Sequence, residues 1–147
     1  MKVRVHLRYL MALTVLLLAL IACTAYDHDT PDTEANLAGF ERHFGFEAPP
    51  DVKDVYYFAD EMGADVLYQL GFEAGPETVA RIVETLDLTQ PDSEIAGIGL
   101  TCDFPWWDEA DIQQATLYWT SNAEQDYWKA LWYSESTQRV YYLEYSL

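Results

Sequence analysis

Val66-Leu67-Tyr68-Gln69-Leu70-Gly71-Phe72-Glu73-Ala74-Gly75-Pro76-Glu77-Thr78-Val79-Ala80-Arg81-Ile82-Val83-Glu84-Thr85-Leu86 changes its hydrophobic period halfway through. In the first part, Val66, Tyr68, Leu70 and Phe72 alternate with Leu67, Gln69, Gly71 and Glu73, and the first set is the more apolar. Period two of this kind predicts a half-buried β-strand. In the second part, Val79, Ile82, Val83 and Leu86 fall at i, i+3, i+4 and i+7, which predicts a helix laying one apolar stripe on a sheet. Pro76 suits the first helical position and Glu77 the positive N-terminal end. The helix is expected to stop by Asp87 or Leu88, before Pro91.

Upstream, Asp54–Ala59 is rich in Val and Tyr, and Glu61–Asp65 reads as a turn, so the two runs predict an antiparallel hairpin. Further upstream, Pro31 and Thr33 introduce a short helix from about Asp32 to His43, with Leu37, Phe40 and Phe44 on one stripe and Gly45 as the residue past its end. Pro49-Pro50-Asp51 forbids helix beyond it. Downstream, a strand is expected from Glu94 to Cys102, then a loop Asp103–Glu109, then strands near Ala115–Thr120, Tyr127–Tyr133 and Arg139–Tyr145. Tyr127, Lys129, Leu131 and Tyr133 alternate with Trp128, Ala130 and Trp132, and Ser134–Gln138 joins the last two strands as a hairpin. The expected fold is α+β: an antiparallel sheet of about five or six strands, one main helix packed on it, and a short N-terminal helix. The order of hairpin, helix, strand, Trp106-Trp107 loop and terminal hairpin with Val140-Tyr141-Tyr142 resembles that of uncharacterised small exported bacterial lipoproteins. The resemblance implies this fold class and no particular activity.

The amino terminus carries an address. Lys2, Arg4 and Arg8 precede an apolar stretch from Tyr9 to Ala22 broken only by Thr14, with no acid before Cys23. A basic region followed by roughly 7–15 apolar residues is the layout of a secretory signal peptide. It falls short of the about 20 apolar residues that span a bilayer. Leu20-Ile21-Ala22-Cys23 resembles the bacterial lipobox. That resemblance implies diacylglyceryl transfer to the Cys23 thiol and cleavage before it. Residues 1–22 then form a lipoprotein signal peptide, 23–33 a flexible polar tether and 34–147 a single domain. The partner of Cys23 is the lipid bilayer on the exported side of the cell membrane. By the same resemblance, Thr24 favours the periplasmic face of the outer membrane if the host is Gram-negative. An uncleaved N-terminal anchor is the alternative.

Charge narrows the partners. The 147 residues hold 25 acids and eight Lys or Arg, a net charge of −17. Three of those bases lie in the signal, so five bases against 25 acids leave the mature chain at −20. Nucleic acid and anionic headgroups both need a basic footprint, and neither is an expected partner. The acids are scattered, which suits a solvated surface. With Lys53 and Lys129 as the only lysines after Cys23, the composition also resembles that of proteins adapted to high salt.

Catalytic and metal chemistry find little support. His43 is the one histidine of the expected domain and Cys102 its one thiol, so neither a zinc set nor a triad can be drawn, and no cofactor is expected. Cys102 reads as a small buried hydrophobe, and His28, between Asp27 and Asp29, as part of the tether. Asp103, Asp108, Glu109 and Asp111 crowd one loop and Asp60, Glu61 and Asp65 another, without calcium-loop spacing. Trp119, Trp128 and Trp132 read as core of an aromatic-rich sheet. Trp106 and Trp107 are consecutive in a loop. If that loop is extended they point opposite ways and at least one is free to be exposed, so Trp106, Trp107 and Asp108 form the candidate binding surface; inward anchoring of the loop by the pair is the other reading. The expected function is a non-enzymatic envelope lipoprotein that binds another protein. An inhibitor or immunity-type role for the acidic surface and a cell-wall carbohydrate-binding module are the alternatives.

Overall fold

The computed structural model describes residues 28–62, 65–92, 101–122 and 127–146. Helix α1 spans Glu34–Phe44, strand β1 Lys53–Met62 and strand β2 Asp65–Glu73. Helix α2 spans Pro76–Thr85, and the single-turn helix α3 spans Glu109–Ile112. Strands β3 (Thr116–Asn122), β4 (Tyr127–Ser134) and β5 (Arg139–Ser146) complete the chain. The five strands form one antiparallel sheet in the order β1-β2-β5-β4-β3. The fold is α+β, as the sequence predicts. Of the strand expected over Glu94–Cys102, residues 94–100 lie outside the described residues, and Thr101 and Cys102 are irregular.

Local chemistry explains the helix ends. The Thr33 hydroxyl accepts from the Asn36 amide at 3.2 Å, and Gly45 closes α1 at φ 74, where a side chain would be strained. Gly75 caps α2 without a side chain. Asp51, 24 residues upstream, takes over and accepts from the Gly75 amide at 3.0 Å and from the Thr78 hydroxyl.

The strand alternation sorts side chains onto two faces. On one, Val55, Tyr57, Leu70, Phe72, Leu131, Val140 and Tyr142 pack with Phe40 and Phe44 of α1 and with Val79 and Ile82 of α2. On the other, Ala130, Trp132, Tyr141, Leu143 and Tyr145 pack under Trp106 and Trp107. The half-buried strand expected at Val66–Phe72 is therefore corrected: Gln69 and Gly71, on its more polar face, are as buried as Leu70. The reason is that β2 is an inner strand, with a helix layer on one side and the loop 104–115 on the other.

Two further expectations change. Leu37 shares the stripe of Phe40 and Phe44, yet it is 38 % exposed while they are fully buried. The inward position in the first turn belongs to Asn36, whose amide donates to the carbonyls of Thr30 and Val55 at 2.8 Å each. The segment expected as a free tether is docked from His28 onward. Asp32, at φ 58, bonds to Val55 through its own amide (2.9 Å), and its carboxylate accepts from the Asp54 and Val55 amides. An aspartate tolerates this left-handed backbone better than most residues. Asp32 thereby occupies polar groups of Asp54 and Val55 near the start of β1, an edge strand that would otherwise offer them to another chain.

Candidate functional site

Trp106 and Trp107 are each only 6 % exposed, so neither forms an exposed platform and, of the two readings of the loop, the pair takes the inward one. The Trp106 ring stacks between Phe104 (centroids 4.9 Å, planes 8° apart) and Tyr56 (5.5 Å, 11°). Its indole N–H donates to the His28 carbonyl at 2.7 Å, and the His28 ring packs on Phe104 and Phe58. The ring lies so close to β2 that a Cβ on Gly71 would come within 2.6 Å of it. Trp107 meets Trp132 and Tyr141 edge-on. The pair points inward because, among the described residues, this face of the sheet carries only the single-turn helix α3, and large aromatic side chains bury the area a longer helix would otherwise cover. Asp108, the third candidate, is exposed and caps α3, accepting from the Ala110 and Asp111 amides at 2.9 and 3.2 Å. Cys23 lies outside the described residues.

Polar side chains hold this loop down. Gln69, fully buried, accepts from the Cys102 amide at 2.7 Å and donates to its carbonyl at 3.3 Å. Cys102 is half-buried, and burial, then the charge of Asp60, pushes its thiol above the ordinary range. Asp111 accepts from the hydroxyls of Ser134 (2.6 Å), Thr137 (2.9 Å) and Tyr141 (3.0 Å), stapling α3 to the β4–β5 hairpin. Burial pushes the Asp111 carboxyl up, but these donors outweigh it and hold the group below its usual value. Burial, then Asp111, pushes Tyr141 up to about 12. A carboxyl whose pKa is depressed by folding adds stability above its unfolded value and loses it as pH falls through the folded one. Asp111→Asn is thus expected to destabilise the protein at neutral pH, with the deficit shrinking as pH falls below about 4. Urea unfolding at pH 7 and pH 3 measures this, and a deficit equal at both pH values would remove the carboxylate from the account.

The other face carries a buried polar relay. His43 Nδ1 lies 2.9 Å from a Glu144 carboxylate oxygen, and His43 Nε2 lies 3.1 Å from the Tyr57 hydroxyl. Tyr142 donates to the same Glu144 oxygen. The His43 and Glu144 side chains are 5 % and 9 % exposed, beneath α1. With Nδ1 donating and Nε2 accepting, every member is satisfied and both ring nitrogens are committed. The sequence reading noticed His43 but had no means of pairing it with Glu144.

Among the described residues no group of three His, Cys, Asp or Glu side chains converges to hold a metal, and no helix is long and apolar enough to cross a membrane. Two clefts flank the Trp106-Trp107 loop. One, of about 200 Å³, is lined by Tyr56, Trp106 and Arg139, and the other, of about 170 Å³, by Trp107, Ile112 and Trp132. Both fall below the size that binding sites commonly have, about 300–1,000 Å³.

A groove of about 590 Å³ reaches that size, between α1 and residues Glu47–Val52. Leu37, Ala38, Ala48, Pro49 and Val52 make its apolar lining, and Asp32, Glu34, Glu41 and Glu47 bring four carboxylates to it. Among the described residues no lysine or arginine lines it. Leu37 is the large apolar side chain most open to solvent among the described residues. The groove escaped the sequence reading because its two walls are separated by the turn at Gly45. Its one sequence-level signal is Leu37, an apolar residue between exposed acids. No protein-family model, curated protein or solved structure matches the chain.

Proposed function

We propose that this chain is an exported lipoprotein, acylated at Cys23, whose α+β domain acts without catalysis by binding another protein of the cell envelope. Leu20-Ile21-Ala22-Cys23, closing a basic and then apolar leader, is the observation that carries the reading. Two or three acyl chains hold a protein stably, where one holds it only marginally. The address is the exported side of the membrane, at the periplasmic face of the outer membrane in a Gram-negative host. Because the chain is docked from His28, only four residues, spanning five Cα–Cα steps, separate the anchor from the domain. Their reach is at most about 17 Å, so the domain would ride close to the bilayer. Its −20 charge suits that position without drawing it onto anionic lipid.

A binding role in place of catalysis is supported by the state of the two best catalytic candidates. His43 is buried with both nitrogens engaged, and the Cys102 thiol is pushed away from the reactive thiolate. The second reading, an inhibitor or immunity-type lipoprotein for a basic effector, draws on the acidic groove. It predicts association that slows and weakens as salt rises.

In-cell crosslinking of the tagged chain, beside Cys23→Ser, tests the proposal. The variant is expected to lose its acyl mass, leave the membrane fraction and lose its crosslinked partner. A Cys23→Ser chain that stays in the membrane would make the leader a retained helix. A wild-type chain without a specific protein partner would sink the binding reading.

A further inference from the structure

We propose that the groove between α1 and residues Glu47–Val52 is the docking site for a cationic amphipathic segment of a partner protein; this deepens, and rests on, the protein-binding reading. The groove joins two features that separately mean little. Its floor is apolar and open, and Leu37, 38 % exposed, is the large apolar side chain most open to solvent among the described residues. Its rim is of one sign, with Asp32, Glu34, Glu41 and Glu47 and, among the described residues, no basic residue. Among the described residues, Glu34, Glu41 and Glu47 take part in no ion pair. Of the bases nearest in sequence, Arg42 pairs with Glu61, and Lys53, next to Val52, is exposed but does not line the groove; Arg81, farther along the chain, lies 3.7 Å over the Phe46 ring.

That combination selects the occupant. An apolar ligand alone would cover the floor but leave the carboxylates of Glu34, Glu41 and Glu47 partly desolvated and without an ion-pair partner, which is costly. A simple polycation would satisfy the rim and leave Leu37 wet. A second copy of this chain would bring four more carboxylates to the same place, and like charges facing each other oppose association. A segment with apolar residues on one side and Lys or Arg along its border meets both features. Its apolar anchors would sit on Leu37, Ala48, Pro49 and Val52, and its cations on the acidic rim. Helix-in-groove recognition has this form, with anchors one and two turns apart.

The test uses the full-length lipidated chain in zwitterionic nanodiscs, with empty nanodiscs as the blank. The probe is a fluorescent synthetic peptide of Lys and Leu arranged as an amphipathic helix. Its Glu/Leu counterpart and an oligolysine of equal length are the comparisons. The Lys/Leu peptide is expected to bind, the Glu/Leu peptide to fail, and oligolysine to bind at least about tenfold more weakly. Leu37→Ser should weaken Lys/Leu binding about fivefold and Glu41→Lys with Glu47→Lys at least about tenfold. These side chains are exposed, so near-ultraviolet circular dichroism should stay that of the wild type. Undiminished binding by the folded variants, equal binding of oligolysine, or no binding of the Lys/Leu peptide each overturns the groove as the docking site. The parent reading fails separately. A partner crosslinked in cells from elsewhere on the domain leaves it standing, whereas an absence of any anchor-dependent partner does not.

Discussion

Trp106→Ala is expected to lower the unfolding free energy by about 3–5 kcal/mol, the range for truncating a buried tryptophan. The indole is 6 % exposed and stacked between Phe104 and Tyr56, and it also bonds the His28 carbonyl. Its removal opens a cavity on the face of the sheet that, among the described residues, is covered by the loop 104–115 in place of a long helix. It also frees the His28 segment from its anchor, so His28–Thr33 should become protease-sensitive before the sheet unfolds. Trp106→Phe keeps most of the stacking and loses one hydrogen bond, for a smaller cost of about 1–2 kcal/mol. Gly71→Ala supplies an independent check. The added methyl would meet the indole at 2.6 Å, so the substitution should destabilise the wild type but cost much less in Trp106→Ala. Denaturant unfolding of the four chains gives the coupling, and additive effects would mean that the ring does not rest on β2 at Gly71.

Glu144→Leu should cost about 3 kcal/mol, because it strands the donors of His43 and Tyr142 in the interior at about 1–3 kcal/mol each. His43→Leu alone should be milder, since Glu144 keeps Tyr142 and Tyr57 can turn its hydroxyl elsewhere. Combining Glu144→Leu with His43→Leu is expected to recover part of the loss, as buried ionisable pairs often exchange for apolar ones at little cost. Thermal and denaturant unfolding of the singles and the double would read it. A double variant no better than Glu144→Leu alone would mean that the relay is held by its tyrosines and not by the His43–Glu144 contact.

Period two over Tyr127–Tyr133 correctly divided β4 between the two faces, because alternation is a local property of an extended chain. Thr33 and Gly45 bounded α1 for a similar reason: a cap acts within one turn. The helix after Gly75 was legible in its apolar stripe. Its remote cap, Asp51, was not, because that bond joins residues 24 positions apart.

By itself the sequence determined the order of α1, β1, β2 and α2 and that of the last three strands, the face on which each β4 residue lies, and the acidic excess. Each of these depends on residues within about one turn or one strand, or on composition alone. Only the tertiary structure decided that Trp106 and Trp107 point inward, that β2 is buried on both faces, that Leu37 stays open, and that the chain is docked from His28. Those outcomes rest on partners brought together across the chain: Trp106 on His28, 78 positions away, and His43 on Glu144, 101 away. A tryptophan in a loop is equally apolar whether it covers its own sheet or waits for a partner. Here the bare face beside Gly71 settled its direction, and the same uneven coverage left Leu37 open at the acidic groove.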